Sequence, residues 1–267
     1  MIRKAASTRR PSRIPADFTA DRRLVLLVAM AVVVGVGGTL AAFALVKLIA
    51  LVTNLVWFGR IDGSSTSLAH AARTPWMVAA PVLGGLVIGL MARFGSEKIR
   101  GHGIPEAIEA ILIGGSRMSP KVAVLKPISS AISIGTGGPF GAEGPIIMTG
   151  GAIGSLFAQC FHLSAAERKT LLVAGAAAGM TAIFGTPLAA VLLAVELLLF
   201  EWKPRSFVPV SAAALTAMCC RPPLFGSGPL FPLAAAHAGF GWSTLAACVG
   251  VGAIVGLQSG LLTKTLY

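Results

Sequence analysis

Glu143 has surroundings that demand an explanation. Residues 135–155 read GTGGPFGAEGPIIMTGGAIGS, and Glu143 is the one charged side chain among them. Apolar sequence flanks this stretch on both sides, and a carboxylate placed there is costly in lipid unless it faces a polar cavity. Gly141 lies two residues before it, Gly144 and Pro145 follow, and an apolar run starts at Ile146. Proline is tolerated in the first turn of a helix, so the spacing predicts a bare loop over 141–145 that feeds a helix N-terminus. Such an end carries free N–H groups and the positive pole of the helix dipole, and both attract anions. Gly141, Ala142, Glu143, Gly144 and Pro145 are therefore candidate anion-binding residues. Glu143 itself is a carboxylate set where a mobile anion would also sit.

A second stretch has the same grammar. Residues 101–114 read GHGIPEAIEAILIG, with a turn-forming Gly-His-Gly and a proline where a helix starts. Glu106 and Glu109 fall in the first turns, where negative charge suits the dipole. The apolar part is too short to cross a bilayer, so it reads as a half-helix whose N-terminus ends inside the protein. Non-helical backbone at that depth is tolerated only where it lines a cavity. Gly101, His102, Gly103, Ile104 and Pro105 join the candidate anion-binding set. His102 has two readings: a buried imidazole bonded to backbone, or an N–H donor to the anion. Either protonation form retains a donor.

Long apolar segments must hold these two loops in place. The chain has 267 residues, 55% hydrophobic and 12% charged, with mean hydropathy +0.82. Soluble domains carry roughly 25% charged residues. Several segments approach or exceed the roughly 17–25 apolar residues that span a bilayer. The expectation is an all-α polytopic membrane protein, with a first span near 24–46 that is retained rather than cleaved. Small residues Gly35, Gly37, Gly38, Ala41 and Ala42 would let that helix approach others closely. Further helices are expected over 75–94, 122–134, 170–184, 188–200 and 207–220, with 221–232 as loop and a last segment from Trp242. Lys126 and Pro127 interrupt the apolar run at 122–134, and Ser164 followed by Glu167 fits a capping box.

The net charge of +12 does not imply nucleic acid. Arg3, Lys4, Arg9, Arg10, Arg13, Arg22 and Arg23 precede the first apolar run, opposed only by Asp17 and Asp21. By the positive-inside rule this predicts a cytoplasmic N-terminus, with anionic lipid as a contact. The four cysteines show no metal-ligand spacing, and the sequence gives no fingerprint for a metal or cofactor. No HExxH, GxSxG or paired intramembrane aspartate suggests an enzyme.

The motifs GHGIPE at 101–106 and GAEGP at 141–145, followed by GAAAGMTAIFGTPLAAVLLAVE at 175–196, resemble the CLC family of chloride channels and chloride/proton antiporters. The resemblance runs from about Leu24 to the end of the sequence. It implies a CLC-like inverted-repeat fold with tilted and broken helices, and transmembrane chloride transport without a cofactor. It implies that both motif loops are helix N-termini converging on a dehydrated anion. It gives Glu143 the role of gate and proton carrier. Lys126 would contribute positive potential to the pore, and Glu196 would lie on an internal proton path. The sequence departs from the family at His102, which stands where an anion-coordinating serine is usual. It departs again at Leu197, where antiporters commonly carry a second glutamate.

On this reading residues 1–23 are a basic cytoplasmic arm and 24–232 a first CLC-like transmembrane repeat. Residues 233–267 are then a loop and the first helix of a second repeat that is largely missing. That last helix, AIVGLQSGLLTKTLY at 253–267, lines up loosely with VVVGVGGTLAAFALV at 32–46, as inverted repeats would. A truncated chain is expected, and with it an alternative function: a non-transporting membrane fragment with a structural or interaction role. The resemblance also implies a homodimer in the full-length form, a plasma (inner) membrane location, and chloride or other small anions and protons as partners.

Overall fold

The computed structural model describes residues 22–68, 74–226 and 241–266, and every regular element among them is helical. The arm expected at 1–23 lies outside the described residues apart from Arg22 and Arg23, and His70 and His237 lie outside them altogether. The chain divides into two compact units, Met1–Ser227 and Gly228–Tyr267.

In the first unit, α1 (Arg22–Phe58) is one continuous helix of 37 residues. At 1.5 Å per residue it runs to about 55 Å, far more than the roughly 30 Å hydrocarbon core. It must therefore tilt steeply or extend beyond the bilayer. α2 (Trp76–Phe94) and α8 (Pro204–Phe225) are also long and apolar enough to cross a membrane. In the second unit, α9 (Trp242–Leu266) has the same character.

Glycine decides where the helices of the first unit touch. α5 (Glu143–Gln159) and α6 (Ala165–Phe184) meet backbone to backbone. A Cβ added to Gly154 would stand 2.1 Å from the carbonyl oxygen of Leu171, and one on Gly175 would stand 2.2 Å from that of Gly150. Lipid tails are as apolar as leucine, so association rests on such close approach rather than on a hydrophobic drive. α1 joins through Gly35, packed on Ala213 of α8, and Gly38, packed on Gly175 and Ala178 of α6. The small-residue cluster near the middle of α1 thus does serve helix packing. α6 becomes the buried axis, with every residue from Thr170 to Ile183 enclosed.

The start of α6 is fixed by the expected capping box. Ser164 Oγ accepts from the Glu167 amide at 3.3 Å, and the Glu167 carboxylate accepts from the Ser164 amide at 2.8 Å. Arg23 of α1 donates to the same buried carboxylate through Nε and through Nη2, the latter at 3.0 Å.

Three elements differ from expectation. α8 does not stop at 220 but continues through Arg221, Pro222 and Pro223 to Phe225. Proline in a helix interior is normally costly, and tertiary contacts override it here. Arg221 Nε donates 3.2 Å to the Ala182 carbonyl, one of the last carbonyls of α6, which have no partner within their own helix. The Gly226 amide closes the end of α8 on Pro222 O at 2.9 Å. The helix expected over 188–200 is divided: α7 (Pro187–Leu193) passes into a π-helical turn over Ala194–Leu199. Lys169 of α6 donates 2.6 Å to the Leu199 carbonyl and pins that wider turn. Finally, α4 (Pro120–Gly135) starts before Val122, because Ser119 Oγ caps the Lys121 amide at 3.3 Å.

Candidate functional site

The 101–114 stretch folds as a half-helix, α3 (Ile104–Leu112), nine residues long. Its cap, Gly103, has φ +116°, a backbone region that L side chains rarely adopt, so glycine is required there. The loop before it is clamped from two sides. Glu106 reaches back and accepts from the Gly103 amide at 2.8 Å. Lys126, buried on α4, donates to the carbonyls of Ile99 at 3.1 Å and Gly101 at 2.7 Å. The amide side is held by a carboxylate and the carbonyl side by an ammonium, so the turn has little freedom to shift. Lys126 thus has a geometric task in addition to any field it supplies.

Glu143 is already the first residue of α5, so the loop expected over 141–145 ends sooner than the sequence suggested. Pro145, which has no N–H to lose, fits this first turn. By position, the amides of Glu143 and Gly144 have no partner within the helix. Those of Ile104 and Glu106 stand likewise at the start of α3.

The two helix starts abut. A Cβ added to Gly144 would lie 2.0 Å from the His102 carbonyl oxygen and 2.6 Å from its Nδ1, and one on Gly103 would lie 2.5 Å from the Gly144 carbonyl oxygen. Only glycine at both positions allows this approach. Gly101, His102, Gly141 and Pro145 line one cavity of about 480 Å³, together with Lys126. Gly103 and Gly144 are the buried contact behind that wall, while Ala142 and Glu143 are half-buried at the start of α5. His102 is exposed, which removes the reading of a buried, backbone-bonded imidazole. One edge of its ring lies against Gly144, where an added Cβ would come within 2.6 Å of Nδ1. Glu196 is exposed on the π-helical turn and does not line this cavity.

The sequence reading passed over one feature of the same wall. Ser129, Ser130 and Ser133 of α4 also line the cavity. With Lys126 they stand at i, i+3, i+4 and i+7, which is one helical face. The signal was present in KPISSAIS at 126–133, a polar stripe with helical period in an otherwise apolar helix.

Comparison with known proteins meets this geometry. A family model, voltage gated chloride channel, matches residues 84–267. The chain belongs to that family. The H(+)/Cl(-) exchange transporter ClcA of Cronobacter sakazakii is 34% identical over 206 residues, covering 73% of this chain and 41% of that protein. The voltage-gated ClC-type chloride channel ClcB of Yersinia pestis is 34% identical over 172 residues, covering 62% of this chain and 41% of that protein. Among solved structures, a slow cyanobacterial Cl-/H+ antiporter superposes with a TM-score of 0.62 at 21% identity, over 90% of this chain and 55% of that one. The chain thus spans about two fifths of each of those two curated relatives. The fold is the all-α CLC fold, and the chain is an integral membrane protein.

Proposed function

We propose that this chain forms one half of a chloride pathway, in which the helix starts at His102 and Glu143 hold a dehydrated anion and Glu143 gates it. The observation that supports the reading is the direct contact of the two loops through Gly103 and Gly144. Amides aimed at a common space provide partial positive charge that costs no reorganisation and carries no counter-ion. An ionised Glu143 competes with the anion for these amides. Protonation removes its charge and releases it, so external acid favours opening. Lys126 adds positive potential and holds the first loop, and the exposed His102 offers an N–H in place of a hydroxyl. Gly101, Ile104, Pro105, Gly141, Ala142 and Pro145 shape the backbone of the site.

Proton exchange would use Glu143 and an internal route past Glu196. Leu197 beside Glu196 favours weak coupling. The whole protein would act as a homodimer in the plasma membrane, with its N-terminus in the cytoplasm, and residues 24–232 and 233–267 as parts of successive repeats. The test is anion efflux from liposomes containing the full-length protein, at about pH 4.5 and about pH 7.5, either side of the usual range for a shifted carboxyl. Faster efflux at the lower pH, with the difference abolished in Glu143→Gln, is expected. Equal efflux at both, or an unchanged response in the variant, overturns the gate. Residues 1–267 alone, silent where the full-length protein conducts, would match the reading of a non-transporting membrane piece.

A further inference from the structure

A second cavity, of about 330 Å³, opens between the start of α1 and the link from α5 to α6. Arg22, Arg23 and Leu26 form its α1 side, with Leu26 four and three residues beyond the two arginines and so beside both on the helix surface. His162 and Leu163 close it from the link, and Glu167 of α6 completes the wall. This wall holds more positive charge than its carboxylate answers. Glu167 is engaged by Arg23 through Nε and Nη2, and Arg205 Nη2 lies 3.7 Å from it. It also accepts from the Ser164 amide and hydroxyl, each at 2.8 Å. Arg22 is exposed and has no ion pair or hydrogen bond with a described residue. Arg23 keeps 56% of its side chain exposed despite its ion pair. His162 is exposed as well. Two guanidinium groups and an imidazole thus border one opening.

The level of this cavity along the helices decides what fills it. Arg22 and Arg23 are the last charges before residues 24–46, which carry none. α6 changes in the same way: Glu167, Arg168 and Lys169 in its first turns give way to the uncharged residues 170–184. Two packed helices that turn from charged to apolar at one height mark the boundary between lipid headgroups and hydrocarbon. On the apolar side Leu26 is 55% exposed, and Val25 beside it 71%. A ligand anchored at the arginines therefore has an apolar surface to run along. A free inorganic phosphate would use the cations and leave that surface bare, whereas a phospholipid answers both.

We propose that this cavity seats the headgroup of an anionic phospholipid. The phosphodiester oxygens accept from Arg22 and Arg23, whose planar guanidinium groups offer paired N–H donors that match a phosphate. His162 supplies a further N–H, and the acyl chains leave along Leu26 and Val25. Basic pockets between membrane helices suit this ligand because lipid supplies the negative charge at high local concentration. The bound lipid bridges α1 and the α5–α6 link, and so reinforces the contact that Arg23 makes with Glu167. The cavity is built from other residues than the Gly103–Gly144 contact, so the lipid site and the chloride reading fail separately.

Native mass spectrometry of the full-length protein in detergent, titrated with phosphatidylglycerol, tests the site. A saturable phosphatidylglycerol is expected, bound at least about fivefold tighter than phosphatidylcholine, the factor one basic residue contributes beside anionic lipid. Arg22→Gln removes a side chain with no other partner among the described residues, so the fold should persist while phosphatidylglycerol binding weakens about fivefold. Arg93→Gln takes the same charge from the exposed end of α2, away from the cavity, and should change binding less than about twofold because such distant charges are screened. Arg9, Arg10 and Arg13 changed together to Gln should likewise leave the saturable site in place, and excess inorganic phosphate should not displace the lipid. Equal binding of the two lipids, or equal losses in Arg22→Gln and Arg93→Gln, overturns the cavity as the site. Loss in the triple variant with none in Arg22→Gln assigns the lipid to the N-terminal arm and overturns it too. Full displacement by phosphate shows an anion site without lipid, which also sinks the proposal. No chloride is measured, so the result stands whichever way the gate test falls.

Discussion

Gly144→Ala tests the contact on which the site is built. The new methyl would begin 2.0 Å from the His102 carbonyl oxygen, 2.6 Å from Nδ1 and 2.8 Å from Cε1. The imidazole can swing aside, since His102 is exposed. The carbonyl cannot. It belongs to a loop clamped by Lys126 through Gly101 O and by Glu106 through the Gly103 amide. Real Cβ contacts essentially never fall below 3.0 Å, so the loops must separate by at least about 1 Å. Overpacking of this kind costs about 1–3 kcal/mol. For a chain of this size, that lowers the unfolding midpoint by roughly 2–4 °C per kcal/mol. The functional loss should be larger. A misplacement of about 1 Å in a preorganised site can cost on the order of a hundredfold, so anion efflux should fall at least tenfold. Liposome efflux and thermal unfolding in detergent measure the two effects on one preparation. Gly89→Ala on α2, outside the site, is the internal control, because a Cβ at Gly89 meets nothing within 4 Å. If Gly144→Ala conducts like the parent, the close approach of the loops is not what makes the site.

Other perturbations probe the scaffold. Gly175→Ala places a methyl 2.2 Å from the Gly150 carbonyl oxygen and should prevent α5 and α6 from docking, so that size-exclusion chromatography shows aggregate. Gly89→Ala on α2 meets nothing within 4 Å and should be neutral or stabilising by up to about 1 kcal/mol, read as a higher unfolding midpoint. Arg221→Met leaves the Ala182 carbonyl unanswered and should cost about 1–3 kcal/mol in denaturant titration. In the loop after α1, the Ser64 hydroxyl, followed by its amide, holds the Asp62 carboxyl below the usual carboxylate range. A lowered folded value means this latch is fully present above the ordinary carboxyl pKa and is lost as pH falls through the folded value. Amide exchange over residues 59–68 should therefore accelerate only in acid below that ordinary value, and an onset near neutrality would refute it.

Much of this protein was legible in the order of its residues. Low charge and long apolar runs dictate membrane helices, because unpaired backbone polar groups are not tolerated in hydrocarbon. The starts of α3 and α5 follow from Gly-x-Gly-x-Pro and Glu-Gly-Pro, which are local rules of capping and proline placement. The Ser164–Glu167 box is equally local. What tertiary structure alone decided are the relations between segments distant in sequence. Arg221 carries α8 through two prolines because a carbonyl of α6, 39 residues away, needs a donor. Lys126 turned from a charge in an apolar run into a clamp on a loop 25 residues earlier. The glycines at 103 and 144 read as turn formers one at a time. Only packing made them the place where two backbones touch. Local sequence sets what a segment can become, and the pairing of buried donors with distant acceptors sets what it does.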